Sequence, residues 1–388
     1  MDEQITAENR RRIALTLTAA QDVADIPKVE GAGGIEVRDG AAVQVMHNGV
    51  LVEHGGYHGA WMAEIIRRLR GHHEPQEERA FHALVRRLAR EAPGRPTMIE
   101  LGGFWSYYSL WFAAELDGAR NVIIEPDPSN LALARRNLAL NGREATLEQA
   151  AVGIEDGAPV RIVCESDGEE REVPAASVDG LARRHGLERV DLLLADVQGA
   201  ELDALRSASE LARSRRLRFL VISTHHHRIS GDPLVHERCL ALLEEWGAHV
   251  IVEHAVEESV SGDGLIVASL DPRDADLVVE VHRAPVRQSL FGPLGPDLAE
   301  AQAAARDATA AAAAAGQDAE DARRRARAAD DALRAASGRL EELEAELERV
   351  RVDREALHAE LHAVLEDRER LHRELAGRAA PRRSLRRR

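Results

Sequence analysis

Four stretches of the chain hold carboxylates, histidines and glycines in patterns that can do chemistry. The first is Glu100-Leu101-Gly102-Gly103-Phe104-Trp105-Ser106, followed by Glu125-Pro126-Asp127-Pro128. An apolar run (Met98, Ile99, Leu101) enters the glycine pair, and a second apolar run ends on Glu125. Paired glycines let a ligand approach the backbone, and a helix opening behind them offers unpaired N–H groups to an anion. An acid at the tip of the next strand is placed to accept hydrogen bonds from two ribose hydroxyls. Together these make a nucleoside-binding half-site. The turn is not a GxGxxG dinucleotide fingerprint, because its third glycine position is unfilled. Glu125 could instead serve as a helix cap or a surface acid.

The second stretch, Leu192-Leu193-Leu194-Ala195-Asp196-Val197-Gln198-Gly199-Ala200-Glu201, is a buried strand ending in a carboxylate before a glycine and a helix. Carboxyl ends of strands line the ligand crevice of an open α/β sheet, so Asp196 is expected to face a ligand, or else to cap the helix. Third comes a strand ending in His225-His226-His227. Neighbours on an extended chain alternate sides, so His225 and His227 are expected to face one side together, as general base or substrate contacts rather than metal ligands. The fourth, Gly71-His72-His73-Glu74-Pro75-Gln76-Glu77-Glu78, reads either as a lid over the site or as a helix start whose acids complement the dipole. Met46-His47-Asn48-Gly49 and Gly55-Gly56-Tyr57-His58 are turn-forming and possible substrate contacts.

The elements that must position these residues follow from hydrophobic period. Strands are expected at 97–101, 121–125, 145–152, 190–195, 217–223, 248–253 and 264–270, with helical patterns between most of them. That alternation implies a parallel sheet flanked by helices. The last two strands have no helix between them and should pair antiparallel. A parallel α/β sheet closed by such a hairpin is the layout of class I S-adenosylmethionine-dependent methyltransferases; dinucleotide dehydrogenases keep alternating βα units instead. Residues 1–95 read as a mixed helix and strand cap, 96–284 as the α/β domain, and 285–296, with prolines at 285, 293 and 296, as a linker.

Residues 297–377 read as one long helix. Leu333, Leu340, Leu347, Leu361 and Leu375 share one heptad position, with Arg354 and Arg368 interrupting, while Leu343, Val350, Leu357, Val364 and Leu371 share the other. Two seams offset by three and four residues indicate a coiled coil, and hence a homo-oligomer. The final RAAPRRSLRRR is a basic tail.

The formal net charge of −16 argues against general nucleic-acid binding, and Lys28 is the only lysine. Cys164 and Cys239 form neither metal-ligand spacing nor a disulfide framework, which suits a reducing compartment. The start of the chain lacks a signal-peptide pattern, and no apolar run approaches the roughly 18 residues of a membrane span. A cytoplasmic location is expected.

The order of these motifs resembles the FkbM-type family of S-adenosylmethionine-dependent methyltransferases over about residues 95–270. The matching stretches are IELGGFWSYYSLWFA, VIIEPDPSNLALARRNLALNG, the AAVG at 150–153 and VDLLLADVQGAELDAL. The resemblance implies that Glu100, Gly102 and Gly103 with nearby backbone hold the methionine portion of S-adenosyl-L-methionine. Glu125 would hold the ribose, and Asp196 would lie near the transferred methyl. Ser106 stands where the family often has glycine, and Leu194 and Ala195 stand where many relatives carry a lysine. The activity expected is O-methylation of a hydroxyl on a sugar or polysaccharide-linked acceptor, with His225 or His227 as base and Asp196 orienting. No metal is expected. The competing expectation is a non-catalytic scaffold that recruits partners through its coiled coil.

Overall fold

In the computed structural model, residues 5–91 and 94–378 are described. The expected basic tail, from residue 379 onward, lies outside them. Seven strands form the central sheet: β1 (Thr97–Leu101), β2 (Arg120–Ile124), β3 (Thr146–Glu148), β4 (Val190–Asp196), β5 (Leu217–His225), β6 (His249–His254) and β7 (Asp263–Ser269). Their order is β3-β2-β1-β4-β5-β7-β6. The pairings from β3 through β5 are parallel, and β7 runs antiparallel to both β5 and β6. The structure thus has the expected α/β sheet with a reversed terminal strand.

The sheet is covered on both faces, so its strands are continuous apolar runs. All nine residues of β5 are buried. Alternate side chains enter different cores. Met98, Leu192, Leu194, Phe219, Val221 and Val267 join one cluster with the aromatic helix α2 (Tyr107–Glu115) and helix α1 (Pro75–Glu91). Ile99, Leu101, Leu193, Leu220, Ile222 and Ile266 join the other. Each of these side chains contributes roughly 1.5–3 kcal/mol by leaving water.

Two features depart from the sequence expectation. The strand expected at 145–152 breaks after Glu148, and Ala151–Val152 pairs instead with Glu170–Ala176. That strand also pairs with Pro159–Val163, forming an antiparallel hairpin the apolar pattern did not suggest. Its burial alternates exposed and half-buried, so it carries little hydrophobic signal. The N-terminal region has three short strands, Ile35–Arg38, Ala41–Val45 and Leu51–Glu53, and belongs to one compact unit, Met1–Asp297.

Asparagines stitch that region to helix α3 (Pro128–Leu140). Asn141 accepts from Leu51 N–H at 2.9 Å and donates to Leu51 C=O at 2.7 Å. Asn137 accepts from Glu53 N–H at 2.8 Å and donates to Trp105 C=O at 3.0 Å. The strand edge and the glycine turn are thereby tied to one helix face.

The second unit, Leu298–Arg388, is described through the long helix Leu294–Arg378. Both heptad seams are exposed along it: Leu333 66%, Leu347 64%, Leu357 65% and Val364 64%. No helix among the described residues is long and apolar enough to cross a membrane.

Candidate active site

The carboxyl ends of β1, β2 and β4 open into a cavity of about 360 Å³. Glu100, Gly102, Gly103, Glu125 and Asp196 all line it, so residues far apart in sequence converge on one cavity. The hairpin 159–176 supplies another wall through Val160, Ile162, Cys164 and Glu165, and the N-terminal region supplies Tyr57, His58, His73 and Glu74.

The glycine pair has a reason beyond ligand approach. Gly102 has φ +78°, and a Cβ there would stand 1.8 Å from the Asp196 carbonyl oxygen; one on Gly103 would stand 2.1 Å from Ile123 Cγ2. The chain itself needs this closeness, which docks the first motif against the second. Ser106 also has positive φ, at 60°, and opens helix α2. That conformation favours glycine, in keeping with the family tendency at this place.

Glu125 is 5% exposed. Its Oε2 accepts from Phe104 N–H and its Oε1 from Asp127 N–H, each at 2.9 Å. Each oxygen keeps a lone pair for a ligand hydroxyl. Burial pushes its pKa up to about 7 against the lowering effect of the backbone bonds. Glu100, which accepts from Ser109 N–H at 3.2 Å, is pushed by burial to about 8. Asp127 caps α3 through Ser129 N–H and also holds Ser166 of the hairpin wall, N–H and hydroxyl both at 2.9 Å.

A second chamber of about 190 Å³ shares Tyr57, His73, Glu74, Asp196 and Gln198 with the first. Trp61 and Phe291 add aromatic surface to it, and His225 and Asp263 add ionisable groups. Asp196 does not cap the following helix, Glu201–Arg206, whose cap position Ala200 makes no side-chain bond. Its Oδ1 lies 3.2 Å from His225 Nε2. His225 Nδ1 lies 2.7 Å from Glu201 Oε1. Burial alone would lower the His225 pKa, but Asp263, Asp196 and Glu201 raise it well above the ordinary value.

The expected pairing of His225 with His227 does not occur. Strand β5 ends at His225, His226 caps the short helix His227–Ser230, and the two-residue alternation stops. His227 lines neither chamber; its Nε2 lies 3.6 Å from Asp297 Oδ2. The His72–Glu78 stretch is both a helix start and a wall. Glu78 Oε1 accepts from His73 N–H at 2.9 Å and meets His73 Nδ1 at 2.5 Å, while Oε2 meets His72 Nδ1. His47, His72 and Glu78 place potential metal ligands within 4.8 Å of one another. The rings of His47 and His72 are stacked, 4.2 Å apart and tilted 13°.

Sequence reasoning missed Asp263, Trp61 and Phe291 as chamber residues. Asp263 carried one signal, its place at the start of a strand expected to be reversed.

Residues 92–250 match the model of the Methyltransferase FkbM domain. No curated protein matches the chain. Among solved structures, a precorrin-6y C5,15-methyltransferase from Geobacter metallireducens GS-15 is similar at 15% identity and a TM-score of 0.31, over 50% of this chain and 86% of that one. An O-methyltransferase from Bacillus cereus in complex with SAH gives 17% identity and a TM-score of 0.33, over 50% and 81%. The bifunctional kinase-methyltransferase WbdD gives 14% and 0.32, over 49% and 38%. The sheet, the converging strand-tip acids and the family match together make residues 92–250 of this chain a methyltransferase domain of the FkbM family.

Proposed function

We infer that the protein transfers a methyl group from S-adenosyl-L-methionine to a hydroxyl of a saccharide or saccharide-linked acceptor. The observation that carries this reading is the pair of joined chambers with Asp196 in the wall of both. In the first, Glu125 is suited to take the two ribose hydroxyls, and Glu100 with the Gly102–Gly103 backbone to take the methionine portion. A carboxylate at Asp196 offsets the sulfonium charge and orients the acceptor. The second chamber suits a sugar because Tyr57, Trp61 and Phe291 give it aromatic lining while the carboxylates of Glu74 and Asp196 can accept from sugar hydroxyls. When bound, the cofactor supplies an electrophilic methyl; the residues align the acceptor oxygen with it and exclude water. His225 belongs to this site and His227 does not. The exposed seams of the long helix support self-association through a coiled coil with further copies of the chain.

The test is equilibrium binding of S-adenosylhomocysteine to the full chain, followed by label transfer from methyl-tritiated S-adenosylmethionine to a panel of mono- and oligosaccharides. Micromolar binding and a labelled sugar are expected. Absence of binding would defeat the cofactor assignment, and tight NADH binding would replace it with hydride chemistry. Binding with transfer only to non-saccharide hydroxyls would defeat the acceptor class.

A further inference from the structure

Methyl transfer to a hydroxyl needs a group to take its proton, and the position of His225 tells against its neutral form. A carboxylate faces each ring nitrogen: Glu201 Oε1 at 2.7 Å from Nδ1, and Asp196 Oδ1 at 3.2 Å with Asp263 Oδ1 at 3.5 Å from Nε2. These carboxylates favour the doubly protonated ring, raising its pKa well above the ordinary value against the effect of burial, and an imidazolium has no lone pair to accept another proton. The Gln198 amide nitrogen lies 3.0 Å from Nε2; exchanging the amide's nitrogen and oxygen, which have nearly the same shape, would let the oxygen accept from the protonated ring.

We propose that Asp263 is the catalytic base, receiving the acceptor's hydroxyl proton while His225 stays protonated and holds Asp196 and Asp263 in place. The sheet creates this arrangement. In the antiparallel pairing of β5 with β7, His225 and Asp263 are register partners, so the reversed strand brings its first residue to the ligand-facing end. A parallel strand would bring its last residue there. Asp263 lines the second chamber but not the first, which puts it on the acceptor side, whereas Asp196 borders both. The step balances: the hydroxyl oxygen forms the new C–O bond, the C–S bond breaks with its electron pair going to sulfur, and the proton passes to the Asp263 carboxylate. The products are the methyl ether and S-adenosylhomocysteine.

The groups facing Asp263 are His225 on β5, Asp196 at the end of β4, Glu201 on the next helix, Glu74 just before α1, Glu77 in its first turn and His254 at the end of β6; Tyr57, His58, His73, Glu165 and Arg12 also line the chamber. Burial, with the surrounding carboxylates and against the pull of His225, raises the Asp263 pKa to about 7. A base with that value is half available at neutral pH and still strong enough to drive the transfer.

This inference rests on the hydroxyl-methylation reading, and the experiment separates the two. In the full chain, Asp263→Asn should lower kcat with the saccharide substrate about 10²- to 10⁴-fold, the usual range for a lost general base. S-adenosylhomocysteine affinity should stay within about threefold of wild type, since the residue lies outside the first chamber. Wild-type kcat should rise from pH 6 to 8 with a midpoint near the Asp263 value of about 7; Asp263→Asn should flatten that limb and Asp263→Glu restore part of it. ¹⁵N-histidine NMR with S-adenosylhomocysteine bound needs no acceptor. The His225 signals, identified by their loss in His225→Gln, should show a doubly protonated ring at pH 7. A neutral ring there, or kcat in Asp263→Asn within threefold of wild type across pH 6–9, overturns the assignment. Failure of wild type to bind S-adenosylhomocysteine defeats the underlying reading instead.

Discussion

Replacing Glu125 by alanine removes one acceptor from four donors, two in the protein and two in the proposed ribose. The ligand side sets the affinity. Two hydrogen bonds to a charged carboxylate are worth about 1.5–3 kcal/mol each, and water entering the emptied corner recovers part of that. A net loss of about 3 kcal/mol corresponds to roughly a hundredfold weaker binding of S-adenosylhomocysteine, at about 1.4 kcal/mol per tenfold. The protein side sets the stability. The Phe104 and Asp127 N–H groups lose their acceptor, at about 1 kcal/mol each once water reaches them, so Tm should fall by about 4–8 °C. Titration calorimetry on the full chain at pH 8, paired with thermal unfolding without ligand, separates the two. Wild-type affinity should strengthen as pH rises from 6 to 8, because only the ionised carboxylate accepts from both hydroxyls and its pKa is about 7. Glu125→Gln keeps the shape, so it should lose this pH dependence and bind about tenfold more weakly. An alanine variant that binds within threefold of wild type, with its fold intact, would refute the ribose assignment.

Three further perturbations test other parts of the structure. Gly102→Ala should be strongly destabilising, by at least about 3 kcal/mol, because its Cβ would meet the Asp196 carbonyl oxygen at 1.8 Å; a wild-type urea midpoint would show that this turn is not as close as described. Stability should fall as pH rises toward 10, by a few kcal/mol at most: burial lowers the His73 pKa, but Glu74 and Glu78 more than compensate and raise it to about 10. The folded state thus holds a proton above pH 6.5 that the unfolded chain has lost, and the benefit, complete below that pH, disappears as pH passes 10. Thermal scans in which His73→Gln kept the full wild-type slope would contradict this. Ending the chain after Asp297 removes both apolar seams while keeping the Asp297 contacts with His226, His227 and Arg228, so light scattering should show a lower assembly mass; an unchanged mass would exclude the helix as the oligomer contact.

Much of the site was legible in the sequence because its parts are local signals. Glu125 and Asp196 each end an apolar run, and in a parallel sheet such ends share one edge, so the strands alone imply that the two acids meet. The heptad seams are legible for the same reason: a 3.5-residue period needs no tertiary information. His225 and His227 show where local reasoning misleads. Alternation holds only while the strand continues, and the strand stops at His225.

Other features depend on long-range approach, which no local period encodes. Gly102 reads as a ligand-facing glycine, yet its tightest neighbour is a carbonyl oxygen nearly a hundred residues away in sequence. Asn137 and Asn141 lie at the end of a helix, and their amides complete the backbone hydrogen bonding of a strand from the N-terminal region. Asp263 lies in a polar turn whose composition says nothing of catalysis; only the reversed direction of β7 sets it against His225. The sequence therefore carries the class of chemistry and the strand tips that hold it, since propensity and period act over a few residues. The second chamber, and with it the proposed proton acceptor, arises from strand direction and from close packing between segments far apart in the chain, and these are properties of the folded sheet alone.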